Sequence, residues 1–202
     1  MSDLTILFSA ISDGVKSAPE KLVKRRFLSA FLLTVCLPAL RSATLERLSL
    51  DDMILKSTAI VRGKVTGSNA SFSGPIIYTH YTIQVTEHFK GDSRNSVDVV
   101  VPGGVANNVR QSFPGTPELK TGNEFVFFLW TGRSGQTQII GLTQGLFALA
   151  PGASSSTMAT RAASKELMLE RGTGQQVKDQ TLIMSLSDLR VRISSTLSGG
   201  VK

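Results

Sequence analysis

The chain holds two imidazoles, His80 and His88, and one thiol, Cys36. The histidines lie eight positions apart in a single alternating run, which as a strand would separate them by about 27 Å. They cannot share a metal ion. With no H-E-x-x-H helix and no second cysteine, no metal site is expected. His80 and His88 match Thr82, Gln84 and Thr86 in parity, so both rings are expected on the solvent face. Hydrolysis by a serine would need a nucleophile, a base and an orienting carboxylate. No G-x-S-x-G elbow is present, and Gly132-Arg133-Ser134-Gly135 reads as a hairpin turn. Gly63-Lys64 is followed by Val65, where a phosphate-cradling loop needs Ser or Thr. Asp51 and Asp52 are adjacent and, on a helix, point about 100° apart; their place at a helix start already accounts for them. These residues predict no enzyme, no catalytic group and no cofactor.

What remains is binding chemistry. Residues 102–122 are rich in Pro, Gly and Asn and are longer than an ordinary hairpin connection, which marks a candidate binding loop. Within it, Asn107, Arg110 and Phe113 are the candidate partner-binding residues, with Asn108 and Gln111 as further hydrogen-bonding groups and Phe113 as an apolar anchor. The alternative is that Val105, Val109 and Phe113, recurring every four residues, form one face of a further strand. Trp130 ends an apolar strand and reads as a core or barrel-cap residue rather than a ligand platform.

The elements that would position these residues are mostly strands. A short helix comes first: Ser49 is a good N-cap, Asp51 and Asp52 fall in its first turn, and Lys56 sits near its end. Leu48 and Met53 can staple its start, while Leu50, Met53 and Ile54 line a face that should lie on a sheet. Residues 61–65 alternate, and residues 81–86 alternate strictly, with Tyr81, Ile83 and Val85 inward. Residues 97–101 form a further strand that Pro102-Gly103-Gly104 stops. The run 125–130, FVFFLW, is apolar on both faces, which predicts an interior on one side and a covering helix on the other. With residues 138–142 and 146–149 this makes about six strands, mainly β with flanking helices, in a small antiparallel barrel or sandwich. Residues 151–157 read as a Ser/Gly linker. Residues 162–170 could be helix, or 166–170 another strand. Ser187 can cap a C-terminal helix carrying Leu189, Ile193 and Leu197.

The N-terminal region speaks about destination. Lys21, Lys24, Arg25 and Arg26 precede an apolar run of eleven residues, Phe27 to Leu37, and then Pro38 and small residues. This is the layout of a secretory signal peptide over residues 21–43, too short for a membrane span of about 20 residues. If cleaved, it leaves a secreted or periplasmic protein. If uncleaved, it is an N-terminal anchor in the inner membrane, the only membrane contact expected. Residues 1–20 form an extension outside this layout; a translation start at Val23, read from a GTG codon, would remove it. Cys36 lies inside the apolar run, so the remainder has no disulfide framework. Residues 44–202 carry 16 basic and 12 acidic side chains, lowering the formal charge from +7 to +4. The cations are scattered and lack interleaved aromatics, so no nucleic-acid partner is expected.

The order SLDDMILKSTAIVRGKV, YTIQVTEHFKG, VPGG, PGTPELKTGNEFVFFLW and GLTQGLFAL resembles an uncharacterised family of exported bacterial proteins over residues 45–150. It also resembles, more distantly, netrin-like and tissue-inhibitor-of-metalloproteinase modules, through the strands "IVRGKV", "V-x-E-x-F-K-G" and "G-x-E-F-V-F-F". The resemblance implies a barrel of the oligonucleotide/oligosaccharide-binding (OB) type over 44–150, with residues 151–202 as linker and helical segment packing on it. Those inhibitors place an N-terminal cysteine on a protease zinc, and this chain lacks that cysteine, so inhibition by that route is not implied. The function expected is an exported, non-catalytic module that binds a protein partner, such as an extracellular protease, through barrel-end loops. The alternatives are a carbohydrate- or envelope-binding module, or an enzyme of unrecognised type.

Overall fold

The structure, a computed structural model, describes residues 44–199. The expected extension, signal segment and Cys36 lie outside them. Among the described residues the fold is mainly β with two α-helices. Strand β1 (Thr44–Glu46) leads to helix α1 (Leu50–Lys56), whose start is capped as its residues require. Asp52 N donates to Ser49 Oγ at 3.0 Å, and Asp52 Oδ2 accepts from Ser49 N at 3.3 Å, a reciprocal box that satisfies orphan amides. At the other end Lys90 Nζ donates to the Ile54 and Leu55 carbonyls at 2.8 and 2.9 Å, placing a cation where the helix dipole favours it.

Two 15-residue strands, β2 (Ala59–Ser73) and β3 (Ile76–Lys90), form a long antiparallel hairpin. Three register shifts interrupt their ladder. Gly63 sits at one of them; a Cβ there would lie 2.5 Å from Ile83 Cγ2 and 2.8 Å from the Gln84 carbonyl, so only glycine lets the strands approach this closely. Strand β4 (Ser96–Pro102) pairs with β3 on its far side. A separate two-stranded hairpin follows, β5 (Gly104–Ala106) and β6 (Val109–Gln111). Strand β7 (Glu124–Thr131) pairs with β2, β8 (Thr137–Ile139) and β9 (Leu146–Pro151). Beyond β9 the sheet continues through β10 (Thr157–Arg161) to β13 (Leu182–Ser185). Between these last two, β11 (Leu167–Leu169) runs parallel to β1 and pairs with β12 (Gln176–Val177). Helix α2 (Leu186–Gly199) closes the described chain.

The main sheet thus has eight strands, two more than about six. The additions, β10 and β13, come from the stretch without clean alternation. The sheet is not closed: its path ends at β13 and β4, and β8 approaches β4 without a hydrogen-bonded ladder. The hairpin turn after β7 stands as expected, with Gly135 N donating to Gly132 O at 3.0 Å. The α2 cap differs by two residues: Ser185 Oγ, not Ser187, accepts from Asp188 N, at 3.0 Å.

Strand β7 shows why the fold has two cores. Phe125, Phe127 and Leu129 join Val61, Ile83 and Val99 in a cluster between β2, β3, β4, β7 and β8. Val126 and Phe128, on the opposite face, join Ile60 and Phe147 beneath Met53 and Ile54 of α1 and Leu189 and Ile193 of α2. An interior on one side and helices on the other is the arrangement that the five buried apolar residues Phe125 to Leu129 require.

Candidate functional site

The segment after β4 is held down by main-chain and amide chemistry. Gly103 and Gly104 both have positive φ, 102° and 131°, backbone that L side chains resist. A Cβ on Gly104 would collide with Thr79 Oγ1 and lie 3.2 Å from Ala70 Cβ, so β5 rests directly on the β2–β3 hairpin. Thr79 Oγ1 donates to Gly103 O at 2.7 Å, and Gly103 N donates to Ile77 O at 2.7 Å. Gln111 completes the clasp: its Oε1 accepts from Ile77 N at 2.7 Å and its Nε2 donates to Pro75 O at 2.9 Å. Asn107 and Asn108 make the two-residue β5–β6 turn with φ of 49° and 61°, the left-handed pair a primed hairpin turn demands.

Alternation then sorts the side chains. Gly104 and Gln111, a cross-strand pair, face the β2–β3 hairpin; the next pair, Val105 and Arg110, faces the other way. Both are exposed. Arg110 forms no hydrogen bond or ion pair among the described residues, and it lines a cavity of about 360 Å³ with Tyr81, Val101, Thr116 and Glu118. Burial pushes the Tyr81 phenol above its ordinary range, with a hydrogen bond from the Leu119 backbone pulling the other way; the phenol is neutral at physiological pH. Phe113 is held by a turn in which Thr116 Oγ1 donates to Phe113 O at 2.8 Å. Its ring lies 3.6 Å from where a Gly103 Cβ would be, at the cavity's edge and 36% exposed.

The structure therefore brings Arg110 to a cavity, places Phe113 next to it against Gly103, and sets Asn107 apart, at the hairpin tip. Gln111 is engaged within the fold. The four-residue recurrence of Val105, Val109 and Phe113 does not make one strand face, because the Asn107-Asn108 turn reverses the chain between the two valines. The arrangement offers a cation, a carboxylate, a neutral phenol and exposed apolar groups, which is recognition chemistry.

Elsewhere, His80 Nδ1 lies 2.8 Å from Asp98 Oδ2, and His88 Nε2 lies 2.9 Å from the Arg94 carbonyl. A His–Asp pair is part of a hydrolytic triad, but no serine hydroxyl reaches the His80 ring among the described residues. Trp130 is 48% exposed and not a core residue. The β2 ladder ends at the Ala59–Leu129 pair, so β7 outruns its neighbour by the time it reaches Trp130. Sequence reasoning missed a second cavity, of about 470 Å³, whose wall includes Arg161 and Asp179. These two form a buried ion pair, side chains 4% and 3% exposed, with Arg161 Nη2 2.8 Å from Asp179 Oδ1. They stand 18 residues apart across the unpatterned stretch, and nothing in their spacing announces the contact.

In comparison with known proteins, no family model and no curated sequence matches this chain.

Proposed function

We propose that the chain is an exported, non-catalytic binding module that recognises a protein partner, such as an extracellular protease, through the β5–β6 face. The observation that carries this reading is the pinned hairpin: Gln111 and Gly104 fix its inner side, Val105 and Arg110 project from the outer side, and Arg110 lines the cavity. A preorganised surface whose guanidinium has no partner among the described residues, flanked by Phe113, gives a partner little ordering to do on binding. The OB-like barrel reading belongs to the same proposal. It is supported by β8 lying beside β4 and by the apolar cluster these strands share with β2, β3 and β7. Export rests on the signal layout of residues 21–43. The test is capture from periplasm or culture supernatant with wild-type chain and with Arg110→Ala/Phe113→Ala. A stoichiometric protein retained by the first and lost by the second supports the site; equal retention by both refutes it.

A second reading, carbohydrate or envelope binding, is favoured by the exposed Trp130 indole, whose Cη2 lies 2.9 Å from the position of a Gly132 Cβ. Gly132 packs against part of the ring, and the exposed remainder is available for stacking. Retention on peptidoglycan that Trp130→Ala abolishes and Arg110→Ala does not would select this reading over the first.

A further inference from the structure

We propose that the cavity beside Arg161 binds a monocarboxylate with an apolar chain. The cavity lies between the start of α1 and the start of α2 and is walled by Leu48, Leu50, Leu182 and Met184. Its volume, about 470 Å³, falls within the usual range of small-molecule sites. Arg161, Asp179 and Asp188 also line it, together with Arg47 and Arg192, which are paired with Glu170 and Asp51. A carboxylate on a hydrocarbon body matches the apolar wall and the unpaired donors of Arg161.

The Arg161 side chain supplies the specific contact. Its Nη2 is fully engaged, donating to Asp179 Oδ1 at 2.8 Å and to the Gln180 carbonyl at 2.6 Å. Among the described residues Nε and Nη1 have no partner although both are buried. Of the five N–H groups of a guanidinium, three are therefore without an acceptor. Buried donors left in this state are uncommon and call for a partner, and a carboxylate is the acceptor a guanidinium takes best. Neighbouring atoms cover both nitrogens, so the head group reaches them as it displaces that cover, and binding is an induced-fit step. Arg47 and Arg192 already hold Glu170 at 3.0 Å and Asp51 at 2.6 Å, so Arg161 makes the bond.

The test titrates the full chain with sodium octanoate by calorimetry, with 1-octanol as a comparator of equal chain length and no charge. Octanoate is expected to saturate one site and 1-octanol to bind at least tenfold more weakly. Arg161→Lys keeps the positive charge but loses the planar set of donors, and is expected to weaken octanoate at least tenfold. Met184→Glu adds a carboxylate to the wall and is expected to do the same in a chain that folds even if Arg161→Lys does not. The absence of a saturable octanoate site, equal binding of 1-octanol, or unchanged affinity in a folded variant would each overturn the proposal.

Discussion

Gln111 serves Ile77 as a missing strand would: its side-chain oxygen accepts the Ile77 amide at 2.7 Å, and the same carboxamide donates to the Pro75 carbonyl at 2.9 Å. One side chain thereby caps the tip of the longest hairpin in the fold and anchors the hairpin that carries Arg110. Gln111→Ala is expected to cost about 1–3 kcal/mol, the range for buried backbone groups left unpaired. Hydrogen exchange at the Ile77 amide should accelerate well beyond that of core amides such as Phe127. An unchanged rate would show that the clasp does not hold the tip.

The Arg161–Asp179 pair joins the two ends of the excursion between β10 and β13. Removing one partner of a buried pair strands the other charge, at a cost of about 3–5 kcal/mol. Asp179→Ala should therefore lower the urea midpoint far more than Asp92→Ala, which removes only an exposed pair with Arg94.

Acid should reproduce part of that loss. Burial alone would raise the Asp179 carboxyl, but hydrogen bonds from Ser164 N–H and Arg161, with the Arg161 charge, outweigh it and leave the group below the ordinary carboxylate range. Asp52 is held low in the same sense, chiefly by the Ser49 hydroxyl. For a depressed carboxyl the stabilisation is complete above the unfolded value, about 3.9 for Asp, and is lost as pH falls through the folded value. Stability should be flat in this respect near neutrality and fall below about pH 4. Asp179→Asn should shrink that acid-dependent loss, as read from urea unfolding at a series of pH values.

Gly63 is a packing requirement. With Ile83 Cγ2 at 2.5 Å and the Gln84 carbonyl at 2.8 Å from the position of a Cβ, Gly63→Ala is expected to destabilise by about 1–3 kcal/mol, the range for overpacking. Pairing it with Ile83→Ala, which removes the crowding Cγ2, should make the double variant less destabilised than the sum of the two single ones; thermal unfolding of the single and double variants measures this.

Phe128 fills the helix-covered core, fully buried against Phe147 with ring centroids 5.5 Å apart. Phe128→Ala should cost about 3–5 kcal/mol. Ile183→Ser, at an exposed strand position, should stay within about 0.5 kcal/mol of wild type.

Legibility followed pattern strength. The FVFFLW run announced a strand with a core on each side, because the five consecutive apolar residues Phe125 to Leu129 have no solvent face to offer. Ser49 and Asp52 announced α1, because a reciprocal cap needs only local spacing. The strands β10 and β13 were illegible for the opposite reason: Arg161 points inward against its type, and its partner Asp179 is reached only through the fold. Of the candidate site, Arg110 and Phe113 stood out as a cation and an aromatic in a Pro/Gly-rich loop. The hairpin that presents them turns on Asn107-Asn108, whose left-handed backbone the four-residue recurrence of valines concealed. Trp130 was misread because its exposure depends on where the neighbouring β2 ladder stops.

The parallel pairing of β1 with β11 sets Thr44 against Leu167. During synthesis the first of these ribbons must stay unpaired until nearly all of the body has emerged, since its partner is made so late. The start of the described residues is thus latched by a strand made after most of the main sheet, ahead of β12, β13 and α2. Chains truncated before Leu167 should expose that end to proteases.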